Sequence, residues 1–343
     1  MRILLLAPDY LNLYKYIESE LTSNGHIVVC LKDKILPFDS YHTPYTFKKR
    51  LKGMYNELQG KYEKYWDELF YLNEELLEPF DLLFVINGCS FHYHLLELLR
   101  KINSKIRSSL YLWDTCKYYD YMRNVRFFDV VKTFDLDDSN IIGKDSFLPF
   151  FWIPSLVNKD KIVWDVFSIG SHHDGRYEIF RKIKNQCDEL GLKANLKIYV
   201  ELIKETESIR RNIIKANKKN DFATLTDINI SLGKKNDEII TYQRMSIDEV
   251  NENIIKSSCI VDTDRDTQTG TTPRVIWALA YGKKIISTNE NLIRMPFYNK
   301  NQIMIISRNN PFLDKEFIIK GGEFERAPFI DQLRIDRWIK NFI

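Results

Sequence analysis

The segment "CIVDTDRDTQTGTTPRVIWALAYGKKIISTN" (259–289) indicates how the chain is organised. It opens with a short apolar run that ends in Asp262, as expected of a buried strand. A polar loop follows, then a helical pattern that begins at Pro273 and ends at Gly282, and then a second apolar run at 284–288. Strand, helix and strand in this order make a βαβ unit, which is typical of a parallel sheet covered by helices.

The same alternation occurs along most of the chain. Strands are predicted at 2–8, 26–31, 80–88, 108–114, 128–135, 163–171, 195–200, 259–262 and 284–288. Helical spacing of apolar residues lies between them and again at the end, in an amphipathic segment at 329–343.

A stretch at 147–155 with two prolines and four large aromatic residues separates two series of strands, and it fits an interdomain connection. The pattern therefore predicts an α/β protein with two Rossmann-like parallel-sheet domains, at 1–155 and 156–325, facing a cleft. We expect a helical insertion at about 40–78 in the first domain. The C-terminal helix, 326–343, is expected to cross back onto the first domain.

Composition excludes several classes of function. The 343 residues carry a net charge of only +3, which gives no argument for a nucleic-acid partner. There is no apolar run of about 18 residues and no signal-peptide pattern, so we expect a cytoplasmic protein. The five cysteines form no C-x-x-C pair, which favours reduced thiols.

The polar loop before the helix at Pro273 has features of a phosphate site. Its residues are Gln268, Thr269, Gly270, Thr271 and Thr272. A helix start offers unpaired N–H groups, and Arg274 adds a fork of donors that suits phosphate. The alternative is a well-capped helix whose loop is merely polar.

A second strand–turn–helix sequence, "FSIGSHHDGRYEIF" (167–180), could hold the other side of a nucleotide diphosphate. Gly170 and Ser171 free the backbone at the turn, and Arg176 stands at the start of the helix. His173 is expected to help at the phosphate.

Metal binding is not expected. Asp262-Thr263-Asp264 and Asp264-Arg265-Asp266 both match a D-x-D spacing, but no full set of oxygen ligands is visible. The pairs His92/His94 and His172/His173 likewise lack zinc-like partners.

Polar residues at the strand ends of the first half indicate where an acceptor hydroxyl could be activated. Asp9, Asp114 and His92 are candidate general bases, and Asn87 and Ser90 are candidate acceptor-binding residues. Helix caps and turn residues are the alternative for each.

A basic face at 47–52, with Phe47 and Leu51 among Lys48, Lys49, Arg50 and Lys52, could touch an anionic membrane surface. A solvated helix face is the alternative explanation.

The sequence resembles bacterial GT-B glycosyltransferases of lipopolysaccharide and capsule synthesis, and the related CgeB-like group. The resemblance covers 160–300 and rests on "SIGSHHDGRYEIF", "SIDEVNENIIKSSCIVD" and "QTGTTPRVIWALAYGKKIISTN". It implies a nucleotide-sugar donor on the C-terminal domain, an acceptor on the N-terminal domain, and no essential metal or other cofactor. The final segment with Trp338 is similar to the part of GT-B proteins that returns to the first domain. Trp277 departs from the pattern, because many such proteins carry there a Glu that binds the donor ribose.

The expected function is therefore transfer of a sugar from a nucleotide-sugar donor to a lipopolysaccharide, capsule or other surface-glycan acceptor. The basic face at 47–52 adds a peripheral contact with the inner membrane as an expectation. A nucleotide-sugar epimerase of the same fold, or a non-catalytic nucleotide- or sugar-binding protein, are the alternatives.

Overall fold

The computed structural model describes residues 1–39, 47–155, 161–173, 175–265, 268–320 and 324–343. The chain divides into two compact units, each with its own parallel sheet. The N-terminal unit contains Met1–Phe151, Thr267–Thr271 and Gln332–Ile343. The C-terminal unit contains Trp152–Asp266 and Thr272–Asp331.

Five parallel strands form the sheet of the N-terminal unit, in the order β2-β1-β3-β4-β5. The strands are β1 (Arg2–Pro8), β2 (Ile27–Asp33), β3 (Leu82–Ile86), β4 (Arg107–Leu112) and β5 (Val130–Thr133). The helices are α1 (Leu13–Ser23), α2 (Phe47–Leu58), α3 (Lys61–Leu72), α4 (Tyr93–Ile102), α5 (Met122–Val125) and α6 (Leu136–Ile142). All five residues of β3 are buried, because helices cover both faces of a parallel sheet.

The helices α2 and α3 occupy the described part of the segment in which the sequence predicts a helical insertion. Gly60 lies between α2 and α3 and is the N-cap of α3. Its φ is 61°, and glycine adopts this left-handed backbone conformation without steric cost. Trp66 of α3 is fully buried, and its indole Nε1 donates a hydrogen bond of 3.2 Å to the carbonyl of Ser90. This contact fixes α3 against the loop that follows β3.

Six parallel strands form the sheet of the C-terminal unit, in the order β11-β10-β9-β6-β7-β8. The strands are β6 (Trp164–Ser171), β7 (Ala194–Tyr199), β8 (Ile240–Thr241), β9 (Ser257–Asp262), β10 (Lys284–Ser287) and β11 (Ile303–Ile305). The helices are α7 (Arg176–Glu189), α8 (Glu207–Lys218), α9 (Phe222–Ser231), α10 (Ile247–Ile255), α11 (Pro273–Ala280) and α12 (Lys315–Ile319). The edge strands β8 and β11 were not predicted from the sequence.

The architecture confirms the predicted α/β class with two Rossmann-like parallel-sheet domains. Within the described parts of the chain, no helix has both the length and the apolar content that crossing a bilayer requires. All five cysteines are free.

The prediction of one continuous helix at the C-terminus was wrong. The segment forms α13 (Pro328–Gln332) and α14 (Ile335–Trp338), and Arg334 between them is extended. Leu333 and Ile335 are both buried, although a continuous helix would place them about 200° apart around its axis. The break lets both side chains enter the core.

Trp338 anchors the C-terminal residues within the N-terminal unit. Its ring is fully buried and meets Tyr111 of β4 edge-on at 4.8 Å, and its Nε1 donates to the carbonyl of Pro149 at 3.1 Å. Phe342 stacks on Phe84 of β3 at 4.6 Å.

Candidate functional site

Four arginines converge on one histidine at the carboxyl edge of the C-terminal sheet. His173 follows β6, and the arginines whose charges act on it are Arg176, Arg265, Arg274 and Arg308, here called the arginine cluster. Arg176 begins α7, Arg274 lies in the first turn of α11, and the other two follow β9 and β11. Because parallel strands end at the same edge, residues that follow three strands, β6, β9 and β11, meet there.

The cluster places four guanidinium groups near His173, and two of them are paired with Asp262 and Asp264. Burial of His173, followed by the charges of the four arginines, lowers the pKa of its imidazole from 6.5 to about 2. The imidazole is therefore neutral at physiological pH. A positive field at the carboxyl edge of a sheet favours a polyanionic ligand.

Arg274 is held by a buried carboxylate. Asp262, at the end of β9, accepts from Arg274 Nη2 at 2.9 Å and from Nε at 3.2 Å. The same carboxylate accepts from Thr272 Oγ1 at 2.6 Å, and Arg274 Nη1 donates to the carbonyl of Ile169 at 2.5 Å. Asp262 therefore orients the guanidinium that the sequence predicts to bind phosphate, and the Thr272 hydroxyl is engaged in the same network.

Arg176 ties the ends of two strands together. Its Nη1 donates to the carbonyl of Ser171 at 2.5 Å, and its Nε and Nη2 donate to Thr263 Oγ1 and to the Thr263 carbonyl, each at 2.7 Å. The side chain is buried. Gly170 makes room for this arrangement, since a Cβ there would lie 2.5 Å from Arg176 Nη1 and 2.9 Å from Arg274 Nη1.

The described residues of the D-x-D motifs bind protein groups. Asp264 accepts from Thr288 Oγ1 at 2.6 Å and lies 3.6 Å from Arg308 Nη1, and burial raises the pKa of its carboxyl. Asp266 lies outside the described residues. Among the residues that the structure describes, no group of three or more His, Cys, Asp or Glu side chains is arranged to hold a metal ion.

The predicted phosphate loop binds a carboxylate of its own chain. Asp135, the N-cap of α6, accepts from the backbone N–H of Thr269 at 2.9 Å, from that of Gly270 at 3.1 Å and from Thr269 Oγ1 at 2.8 Å. Gly270 packs against Phe134, whose carbonyl oxygen a Cβ would approach to 2.4 Å. In this structure the anion that the loop holds is Asp135, and its contact with a phosphate stays a prediction.

Two other residues of that loop have different surroundings. Gln268 Nε2 donates to the carbonyl of Gly270 at 3.3 Å. Thr271 is fully buried, and its hydroxyl has no hydrogen-bond partner among the described residues.

In the N-terminal unit, the structure joins two of the predicted residues. Asn87, with a positive φ of 62°, follows β3, and its Nδ2 donates to Asp114 Oδ2 at 2.8 Å. Its Oδ1 accepts from the N–H of Trp113 at 3.0 Å. The buried amide of Asn87 therefore links the ends of β3 and β4, a structural task that argues against its predicted contact with an acceptor.

Ser90 is held by the buried carboxylate of Asp33. The residue is fully buried, and its hydroxyl and N–H both donate to Asp33 Oδ1 at 2.7 Å. Asp33 accepts further from the N–H groups of Gly88 and Cys89, at 3.0 and 2.7 Å. These bonds occupy the turn after β3, so Ser90 cannot reach an acceptor without rearrangement.

The remaining candidate bases lie in contrasting environments. Asp9 is on the surface, 2.6 Å from Lys32 Nζ. His92 is buried, its Nδ1 caps α4 by accepting from the N–H of His94 at 3.4 Å, and its Nε2 lies 4.0 Å from Glu63 Oε1. Burial lowers the pKa of His92, and its Nδ1 is already engaged as the cap of α4.

No family model and no curated protein matches the sequence. Solved structures resemble it over nearly its whole length. A UDP-forming α,α-trehalose-phosphate synthase from Burkholderia vietnamiensis has a TM-score of 0.53 at 12% identity, with 99% of this chain and 98% of that chain covered. An E. coli trehalose-6-phosphate structure bound with UDP-2-fluoro glucose has a TM-score of 0.52 at 12% identity, with 100% and 98% covered. The chain has the GT-B fold.

Within this fold, sequence reasoning missed several residues that shape the site. Arg308 follows the unpredicted strand β11, and Arg265 was considered only as part of a D-x-D motif. Asp135 ends a strand that was predicted, yet nothing in the sequence links it to the loop at 268–271.

Trp277, the departure from the GT-B pattern, belongs to the interior. It lies on α11 and is 4% exposed, and the residues that flank it on the helix are fully buried. A ribose contact at this helix would need another residue.

Proposed function

We propose that this protein is a glycosyltransferase that takes a sugar from a nucleotide-diphosphate donor and transfers it to a lipopolysaccharide, capsule or other surface-glycan acceptor. The observation that carries the proposal is the arginine cluster at the carboxyl edge of the C-terminal sheet. No metal and no further cofactor is part of the proposed reaction.

The charge of the cluster matches the leaving group of such a reaction. Two of its arginines, Arg274 and Arg308, are paired with Asp262 and Asp264. Burial, and after it the charges of all four guanidinium groups, still lowers the pKa of His173. As the sugar–phosphate bond breaks, negative charge develops on the diphosphate, and fixed positive groups stabilise that charge.

We assign different tasks to the members of the cluster. Arg176 and Arg274 are anchored to backbone carbonyls and to Asp262, so they contribute charge from fixed positions. Arg265 follows β9, and Arg308 follows β11, where its Nη1 donates to the carbonyl of Asp264 at 2.8 Å. Both are proposed to contact the phosphates directly. Neutral His173 can donate or accept one hydrogen bond at the same place.

The loop at 268–272 can bind the donor only if the diphosphate replaces the Asp135 carboxylate at its backbone N–H groups. Its two N–H donors suit a phosphate as well as a carboxylate, so Asp135 is proposed to occupy their place when no donor is bound. Gly170 and Ser171, at the end of β6, remain part of the proposed donor site.

UDP is the nucleotide that the structural neighbours favour, since one is bound with UDP-2-fluoro glucose and another is UDP-forming. The surface-glycan acceptor rests on the sequence resemblance, and a peripheral contact with the inner membrane rests on the basic face at 47–52. Phe47 and Leu51, on the proposed membrane face, are exposed. The side chains of Lys49 and Arg50 lie outside the described residues.

Of the three candidate bases, Asp114 suits the transferase best. It is half-buried at the end of β4 and is oriented by the amide of Asn87, whereas Asp9 is on the surface and His92 is a helix cap. A positioned carboxylate can accept the proton of an acceptor hydroxyl.

Incubation with a panel of UDP-sugars tests the proposal. Slow release of UDP without an acceptor supports a transferase, and its loss in Arg265→Ala but not in Arg210→Ala supports the cluster as the donor site. Arg210 is a matched control because it is an exposed arginine of the same unit, on α8. A changed sugar still attached to UDP would indicate an epimerase, and binding without turnover would indicate a non-catalytic protein.

A further inference from the structure

A separate cavity lies in the N-terminal unit, between the inserted helices and the loops at the sheet edge. Its volume is about 380 Å³, within the range of about 300–1,000 Å³ that small-molecule sites occupy. One wall comes from α2 and α3, and the other from residues that follow β3 and β4. It therefore opens at the carboxyl edge of the sheet, where ligands of open α/β domains bind.

The charged groups of the cavity are balanced in sign. Glu57 and Glu63 come from the inserted helices, and Arg123 and Arg126 come from the segment after β4. Arg123 Nη1 lies 3.9 Å from Glu57 Oε1, and the guanidinium of Arg126 stands 4.8 Å above the ring of Phe127. A phosphate in this cavity would be repelled by the two carboxylates. A purely apolar ligand would remove water from four charged groups without replacing its hydrogen bonds.

The aromatic groups supply a flat apolar wall. Tyr93 is 40% exposed and stacks on Phe127 with ring centroids 5.8 Å apart. Burial, the charge of Glu63 and a hydrogen-bond interaction with that carboxylate raise the pKa of the Tyr93 hydroxyl, so it stays protonated. Such a surface offers one apolar face and one polar edge.

Glu63 has acceptor capacity that the protein does not use. Its Oε2 is buried and accepts no hydrogen bond from the described residues, while Oε1 lies 4.0 Å from His92 Nε2. The side chain as a whole is 29% exposed and lines the cavity, so rotation about its last bond can present either oxygen to a ligand. A ligand that carries hydroxyl groups would satisfy this carboxylate.

We propose that this cavity binds an uncharged sugar ring, with Tyr93 packing on its C–H face and Glu63 accepting from its hydroxyls. A sugar ring combines an apolar face with many neutral donors and acceptors, which is the combination that the walls require. The further assignment of this sugar as the glycosyl acceptor rests on the proposed function; the binding site itself does not.

The test is a calorimetric titration of the full-length protein with uncharged methyl hexosides, with glucose 6-phosphate as the charged comparison. Each titration is run with and without saturating UDP. We expect at least one methyl hexoside to bind saturably and more tightly than glucose 6-phosphate. Glu63→Gln should weaken that binding about tenfold or more, because it removes a charged acceptor.

Two further variants make the result specific. Glu68→Gln, on the exposed side of the same helix, is the matched control and should bind like the wild type. Tyr93→Ala should weaken binding about tenfold through loss of the apolar wall. Saturable binding to none of the methyl hexosides, tighter binding of glucose 6-phosphate, or equal affinity of Glu63→Gln and Glu68→Gln would overturn the proposal.

The outcome is separable from that of the donor site. Glu63→Gln should bind UDP as the wild type does, because Glu63 lies in the N-terminal unit and the arginine cluster lies in the C-terminal unit. Hexoside binding without any UDP binding would uphold the cavity and refute the proposed transferase. UDP binding without hexoside binding would refute the proposal for the cavity and leave the proposed transferase standing.

Discussion

Replacing Arg274 by Ala should strongly destabilise the protein, whatever it does to ligand binding. The change leaves Asp262, whose side chain is 1% exposed, without its guanidinium partner. Removing one member of a buried ion pair costs about 3–5 kcal/mol, because the remaining charge stays buried. Thr272 Oγ1 and Ser287 Oγ still donate to Asp262, at 2.6 and 3.2 Å, so we expect a loss near the lower end, about 3 kcal/mol.

Urea denaturation measures this loss, and Arg210→Ala is the matched control. Arg210 Nε lies 2.8 Å from Glu205 Oε1, a distance like that of the buried pair, but its side chain is 68% exposed. The control should lose less than about 1 kcal/mol, since water screens the exposed pair. The two variants therefore differ mainly in burial.

A second substitution isolates the buried charge as the cause. Asp262→Asn removes the charge that Arg274 balances, so it should cost less in the Arg274→Ala background than in the wild type. We expect a coupling energy of about 1–3 kcal/mol between the two positions. A loss for Arg274→Ala no larger than that of Arg210→Ala, or additive effects of the two substitutions, would refute the reasoning.

Three further changes have defined outcomes. Asp135→Asn should lower the free energy of unfolding by about 2 kcal/mol in thermal melts, because a neutral amide replaces a carboxylate that accepts from two loop amides. Lowering the pH from 8 to 5.5 should reduce the free energy of unfolding of the wild type by about 1.4 kcal/mol more than that of His173→Gln, as measured in urea melts. The reason is that the imidazole of the unfolded chain binds a proton below its usual pKa of 6.5, whereas the buried imidazole of the folded protein does not. Trp338→Ala should cost about 3–5 kcal/mol in the same melts, because it empties a fully buried site.

Each of these expectations has a clear contrary result. Asp137→Asn alters an exposed neighbour on the same helix, and an equal effect of the two Asp substitutions would contradict the role given to Asp135. The stability linked to His173 is complete above pH 6.5 and falls as the pH drops towards 2, so an identical pH dependence in His173→Gln would contradict its buried neutral state. A Trp338→Ala loss below about 1 kcal/mol would show that the C-terminal residues are not part of the core.

The sequence predicts the two sheets because their strands are buried and flanked by helices with clear start and end signals. Ser246 and Glu249, for example, form the capping box that their spacing indicates. The short edge strand Ile303–Ile305 carries too few residues for such a signal. The C-terminal break at Arg334 depends on burial of two neighbouring apolar residues, which helical spacing alone does not reveal.

The site was harder to predict, because it is assembled from distant parts of the chain. Arg176 and Arg274 were identified from their positions at helix starts, but their anchors are carbonyls and a carboxylate that only the fold brings near. Asp135 and Thr269 are 134 residues apart in sequence, so local reasoning could propose a phosphate loop but could not reveal the carboxylate bound there. Residue types indicated the chemistry, whereas tertiary structure decides which groups are already engaged.

The most direct test of the donor site is the dissociation constant of UDP, measured by calorimetry for the wild type, Arg265→Ala and Arg210→Ala. Loss of one guanidinium contact with a phosphate should weaken binding about tenfold or more, so we expect Arg265→Ala to bind UDP at least that much more weakly than the other two proteins. Equal affinities in all three proteins, or no binding of UDP to the wild type, would contradict the assignment of the arginine cluster to the diphosphate.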